Sequence, residues 1–99
     1  MRQIWIPRAG DPEVLEVREA PDPTPSRGQV LIDVEAAGIN FADILARQGL
    51  YPDAPDLPAV VGYEVAGTVG AVGEGVTSVS AADRNVARTR FGGFSSTGV

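Results

Sequence analysis

Ninety-nine residues, 43% of them hydrophobic and 21% charged, carry a formal net charge of −5. That length makes one domain with one modest core, and the acidic balance excludes a general nucleic-acid surface, which must be basic to neutralise phosphates. Cys and His are both absent, which removes disulfides, thiolate or imidazole metal ligands, and serine-histidine or cysteine-histidine catalysis.

The chain starts with Gln3 to Ile6, a short strand stopped by Pro7. Ala9-Gly10-Asp11-Pro12 is turn chemistry, since Gly relieves the φ restriction and Pro sets φ. Val14 to Glu19 alternates imperfectly between apolar and charged residues and reads as a second strand, forming a hairpin with the first. Ala20 to Gly28 holds three prolines and is an extended connection. Gln29 to Ala37 is the clearest strand, with Val30, Ile32 and Val34 facing one way and Leu31, Asp33 and Glu35 the other.

Asn40 to Gln48 is predicted as the single helix. Asn40 caps the first turn, Asp43 three residues on resembles the reciprocal half of a capping box, and Gly49 supplies the stop. Phe41, Ile44, Leu45 and Gln48 would form its partly apolar face. Tyr51 to Pro58, with three prolines, is a loop. Val60 to Val72 reads as a strand, Gly73-Glu74-Gly75 as a tight turn, and the chain then returns through Val79. Asn85 to Arg88 is a further strand, and Phe91 to Phe94 a glycine-broken turn.

Many short strands, one short helix and glycine-rich bends predict a mainly β fold, a small antiparallel barrel or sandwich. A parallel sheet would need several crossover helices. The N-terminus has no apolar run of signal-peptide length, and no segment approaches the ~18 apolar residues of a membrane span, so a cytoplasmic protein is expected.

Gly67 to Gly75 invites a phosphate-loop reading, which requires Gly-x-Gly-x-x-Gly where a strand turns into a helix. Gly73-x-Gly75 is followed by Ser78 at the third glycine position, and by turn and strand rather than helix. A hairpin with glycines at special φ is the better reading.

Several segments carry a resemblance to a known family: Gly10 to Leu15, Ala37-Gly38-Ile39-Asn40-Phe41-Ala42-Asp43, Arg47 to Pro52, Pro58 to Gly67, and Val72 to Val76. Together they resemble the N-terminal catalytic domain of zinc-independent quinone oxidoreductases and their vesicle-protein-like relatives, in the medium-chain dehydrogenase/reductase superfamily. The match runs in register from the first residues to about Gly93.

The resemblance implies a GroES-like, partly open β-barrel with one short helix, covering residues 1–99. In whole family members a Rossmann domain follows and binds NADPH, and hydride passes to a quinone or other α,β-unsaturated carbonyl in the cleft between the domains. That second domain is absent from these residues, so no steady NADPH oxidation by this chain alone is expected, and no tight NADPH binding.

Site residues follow from the same resemblance. Asn40 falls where zinc-dependent relatives place a ligand cysteine, and Tyr63 where they place a ligand histidine. An amide and a phenol are poor zinc donors, so no zinc is expected. Without a metal, hydrogen-bond donors must polarise the substrate carbonyl; the Asn40 amide and the Tyr51 hydroxyl are the catalytic candidates. Asn40 and Asp43 are the cofactor-side candidates, and Tyr51, Tyr63 and Leu45 the substrate-pocket candidates.

Structural roles stand beside these. Asn40 and Asp43 also serve as a cap pair, Tyr51 also suits a loop anchor, and Tyr63 and Glu64 also read as structural, with a buried ion pair as one role for Glu64. Arg88 and Arg90 read first as solvated charge, with a contact to a cofactor phosphate as the lesser alternative.

The family usually has Gly-Asp-Arg-Val where this chain has Ala82-Asp83-Arg84-Asn85. Ala82 would be strained if that position needs φ > 0, and Asn85 would place an unpaired amide in the core. Phe94 to Val99 is polar where the family continues with an apolar strand. The expectation is a barrel truncated at its C-terminal end, whose open edge invites a homo-oligomer. A non-catalytic GroES-like assembly module and a truncated remnant remain as alternative readings.

Overall fold

The computed structural model describes residues 1–98. Six strands and one α-helix follow one another: β1 (Arg2–Trp5), β2 (Glu16–Glu19), β3 (Val30–Ala37), α1 (Phe41–Gln48), β4 (Glu64–Val72), β5 (Arg84–Arg88) and β6 (Thr97–Gly98). The fold is mainly β, as expected. β1 and β2 form a two-stranded antiparallel sheet with Arg2 opposite Glu19 and Trp5 opposite Glu16. The other four strands form an antiparallel sheet in the order β5-β4-β3-β6.

Main-chain bonds close the small sheet onto the rest as a partly open barrel. Ile6 and Ala59 exchange hydrogen bonds of 2.8 and 3.1 Å, and the Ile4 N–H donates to the Phe94 carbonyl at 2.9 Å. Around this closure Ile6, Ala46 and Val61 form a buried cluster, with Tyr51, Leu57 and Phe94 packed on it. A second buried set, Ile32, Val65 and Val69, lies where β3 pairs with β4. The alternation read in β3 therefore has a physical cause, one face held away from water, and β4 shows the same pattern with Val65, Gly67 and Val69 buried.

Several boundaries differ from the sequence reading. The second strand starts at Glu16, because Pro12–Val14 closes into a 3-10 turn. β4 begins at Glu64 rather than Val60; the residues before it are spent on the Ile6 and Phe94 contacts. The piece returning through Val79 is not a strand, whereas the turn at Gly73–Gly75 is present, with the Gly73 N–H bonded to the Gln29 carbonyl at 2.7 Å. No helix follows it, so the strand-to-helix junction of a phosphate loop is not formed; β4 instead pairs with β5 across a connection that runs through residues 73–83.

The polar tail holds a strand that composition does not announce. Thr97 and Gly98 pair with Asp33 and Ile32 of β3, and the Ser96 carbonyl accepts from the Val34 N–H at 3.0 Å. Backbone pairing requires no apolar side chain, so a Ser-Thr-Gly run can complete a sheet. Val99 lies outside the described residues.

Ala82 adopts φ +73°, the only non-glycine residue with positive φ among those described. Its N–H donates to the Val69 carbonyl at 2.7 Å, and the neighbouring Asp83 carbonyl accepts from the Val69 N–H at 2.8 Å. Two bonds to β4 thus hold Ala82 in a conformation its Cβ disfavours. Asn85 differs from expectation: it is half-buried opposite Gly67, and its amide is not among the buried atoms left without a partner.

Candidate active site

The site begins at the start of α1. Asn40 is extended (φ −111°, ψ 160°) and caps the helix in a reciprocal box with Asp43. The Asn40 main-chain N–H donates to Asp43 Oδ2 at 2.9 Å. The Asp43 N–H donates to the Asn40 main-chain carbonyl at 3.0 Å, and the Asn40 carboxamide carries an NH2 group as a donor. Gly49, in the left-handed region at φ +79°, ends the helix.

The box turns Asp43 inward. It is 5% exposed, and Oδ1 has no hydrogen-bond partner. Burial pushes its carboxyl above the ordinary value of 3.8, and nearby Glu64 adds to the rise, while the main-chain N–H groups of Asn40 and Gly62 act in the opposite sense. Asp43 and Ala46 are the buried helix residues. The expected apolar face is instead turned outward: Phe41 is 72% and Ile44 38% exposed.

Across from Asp43, Tyr63 sits immediately before β4. Gly62 makes this approach possible. Its φ of +114° is outside the range of L side chains, and an added Cβ would lie 2.8 Å from the Phe94 nitrogen. Gly93 packs against it and donates its N–H to the Gly62 carbonyl at 3.1 Å.

The Tyr63 ring meets Tyr51 edge-on, with centroids 6.3 Å apart at 80°. On its other contact Phe91 lies 5.9 Å away, tilted by 59°. The Tyr63 hydroxyl is buried and has no partner. Burial raises its pKa above 10.0, and Tyr51, Asp43 and Asp53 add to the rise. It is a neutral phenol at physiological pH.

Four of the five residues singled out from sequence therefore form one chain of neighbours: the cap joins Asn40 to Asp43, Asp43 lies within electrostatic reach of Tyr63, and Tyr63 packs on Tyr51. Leu45 is half-buried on α1. Glu64 corrects the sequence reading. It is exposed opposite Arg88, and the ion pairs among the described residues are Met1–Asp22 and Arg18–Glu16. Phe91 was legible only as part of a turn; its aromatic character beside Gly92-Gly93 was the available signal. Arg90 is exposed, as expected, with its guanidinium 5.5 Å from the centroid of the Phe91 ring.

The residues present do not fit zinc. An amide and a protonated phenol stand at the two positions, and no three His, Cys, Asp or Glu side chains cluster as metal ligands among the described residues. No helix among them is long and apolar enough to cross a membrane.

Residues 26–96 match the alcohol dehydrogenase GroES-like domain. The chain is 43% identical over 95 residues to quinone oxidoreductase 1 of Escherichia coli, covering 95% of this chain and 29% of that protein. It is 50% identical over 78 residues to the synaptic vesicle membrane protein VAT-1 homolog of Rattus norvegicus, covering 79% of this chain and 19% of that one. Among solved structures, the E. coli quinone oxidoreductase complexed with NADPH superposes with a TM-score of 0.91 at 39% identity, over 99% of this chain and 30% of that one. The chain thus spans less than a third of the length of these relatives.

Proposed function

Because the chain belongs to the alcohol dehydrogenase GroES-like domain family, with quinone oxidoreductases among its relatives, we propose that it forms the substrate side of a zinc-free, NADPH-dependent quinone or enone reductase. The observation that carries this reading is the contiguous Asn40–Asp43–Tyr63–Tyr51 grouping, which presents hydrogen-bond donors where zinc-using relatives place a metal.

When bound, a reduced nicotinamide supplies the hydride. This chain's own residues prepare the acceptor. The Asn40 NH2 group and the Tyr51 hydroxyl donate to the carbonyl oxygen and stabilise the charge that develops on it, an effect strengthened where water is excluded. Tyr63 supplies an aromatic wall and holds Tyr51 edge-on. Asp43 fixes the orientation of Asn40 through the cap, and this reading assigns the pair to the cofactor side. The reactive half of the site lies outside this domain, so the chain alone turns over no NADPH.

The test is a chimera in which this chain replaces the matching 30% of the E. coli quinone oxidoreductase. NADPH-dependent reduction of a quinone by the chimera, reduced at least about tenfold by Tyr51→Phe, supports the reading. A folded chimera indifferent to both Tyr51→Phe and Asn40→Asp overturns it.

A further inference from the structure

We propose that Arg90 and the row of rings Phe91, Tyr63 and Tyr51 form a recognition shelf for an aromatic acceptor that carries an acid group, with Arg90 taking the anion. The inference rests on the quinone or enone reductase reading given above and assigns the class of acceptor. Tyr63 lies between the other two rings, its centroid 6.3 Å from that of Tyr51 and 5.9 Å from that of Phe91. The Arg90 guanidinium lies over Phe91 at 5.5 Å. One end of the row thus carries the hydroxyl assigned to the acceptor carbonyl, and the other end carries a positive charge.

That charge is not spent inside the chain. Arg18 pairs with Glu16, Arg47 donates to the Gly10 carbonyl, and Arg88 lies opposite Glu64 in the β4–β5 register. Arg90 has no ion pair among the described residues. A guanidinium resting on a ring keeps its N–H edge free, and that planar fork matches a carboxylate or sulfonate. The field along the row also has a direction. Asp43 and Asp53 lie within electrostatic reach of the Tyr63 hydroxyl, so an acidic group is repelled from the tyrosine end and drawn towards Arg90.

The segment that carries Arg90 and Phe91 is fixed from both sides. Thr89 donates its N–H to the Tyr63 carbonyl at 2.7 Å and its hydroxyl to the Gly62 carbonyl at 2.9 Å. The Gly92 N–H donates to the Val60 carbonyl at 3.1 Å. Ser95, 8% exposed, accepts from Gln3 Nε2 at 3.0 Å and donates to the Gly92 carbonyl at 2.9 Å. These bonds lie within the barrel itself, and a shelf already held in place costs little ordering when a ligand arrives.

A cofactor phosphate is the rival ligand for the same charge. The ring row favours the acceptor, because aromatic faces and edges beside the guanidinium suit a flat ring bearing an acid group and add nothing to phosphate binding.

The chimera with the E. coli enzyme tests this with two probes, naphthoquinone and its sulfonate. The expected result is a lower KM for the sulfonate, a preference that falls about tenfold in Arg90→Gln, persists in part in Arg90→Lys and weakens with added salt. Arg27→Gln, the same charge change in the turn before β3, should leave the preference as it was. A chimera that reduces both quinones with a KM ratio indifferent to Arg90→Gln overturns the proposal. So does a rise in the KM for NADPH alone, which would give the charge to the cofactor. If the folded chimera reduces no quinone, it is the reductase reading that fails, and the shelf is then decided by titrating the purified chain with naphthalenesulfonate. Backbone NMR shifts at residues 89–93 that vanish in Arg90→Gln uphold it, and their absence overturns it.

Discussion

The hydroxyl of Tyr63 is buried without a partner while its ring stands edge-on to Tyr51, 6.3 Å between centroids. The ring is thus placed by aromatic packing, and the polar tip is a cost to the fold. An unsatisfied buried hydroxyl destabilises by roughly 1–3 kcal/mol. Tyr63→Phe should keep the ring contacts and raise stability by about 1 kcal/mol, read by urea denaturation. A loss of stability would show that the hydroxyl has a partner in solution.

Ala82→Gly should also stabilise. The backbone is held at φ +73° by two hydrogen bonds to Val69, where an L side chain costs roughly 1–2 kcal/mol. Part of that gain is offset by the greater freedom of glycine in the unfolded chain, leaving about 0.5–1 kcal/mol. Denaturant midpoints of the two proteins decide it.

Gly62→Ala should do the opposite. Its φ is outside the allowed range for alanine, and the new Cβ would meet the Phe94 nitrogen at 2.8 Å. Strain of this kind costs roughly 1–3 kcal/mol before the clash is counted. The expected readout is a lower melting temperature with loss of the near-ultraviolet signal of Tyr63.

Asp43 should titrate late. Its folded pKa is raised above 3.8, chiefly by burial, so the native state holds this proton more tightly than the unfolded one. Its contribution to stability is therefore undiminished below that value and is lost as pH rises through the folded pKa. Carbon-detected NMR of the side-chain carboxyl should show a midpoint above 3.8. Asp43→Asn should abolish that step in the stability profile; an unshifted midpoint would contradict the burial argument.

Asn40 separates capping from function. Asn40→Asp keeps a good cap, whereas Asn40→Ala costs about 1 kcal/mol. In the chimera with the E. coli enzyme, Asn40→Asp should preserve the melting temperature and still lower quinone reduction, because a carboxylate cannot donate to a carbonyl. Equal activity of the two proteins would leave Asn40 only its cap.

Capping, turns and alternation were legible because each depends on near neighbours. Asn40, Asp43 and Gly49 set the helix through contacts within four residues, and Gly73–Gly75 turns the chain through its own φ angles. The positive φ at Ala82 was anticipated from the glycine that the family carries there. The strand at Thr97–Gly98 was not legible, because its hydrogen bonds go to β3, more than sixty residues back in the chain. Nor was the orientation of α1. Phe41 and Ile44 look like a core stripe, yet the cap pulls Asp43 inside and Ala46 fills the close contact with the core.

The residue types, their spacing and the absence of Cys and His determined the mainly β class, the helix limits and the lack of thiolate and imidazole ligands, since all of these rest on composition or short-range geometry. Only the folded chain decided that Asp43 is buried within electrostatic reach of Tyr63 and that Phe91 packs at a tilt against the Tyr63 ring. Those outcomes depend on which distant segments share a core, and long-range packing leaves no mark at any single position of the sequence.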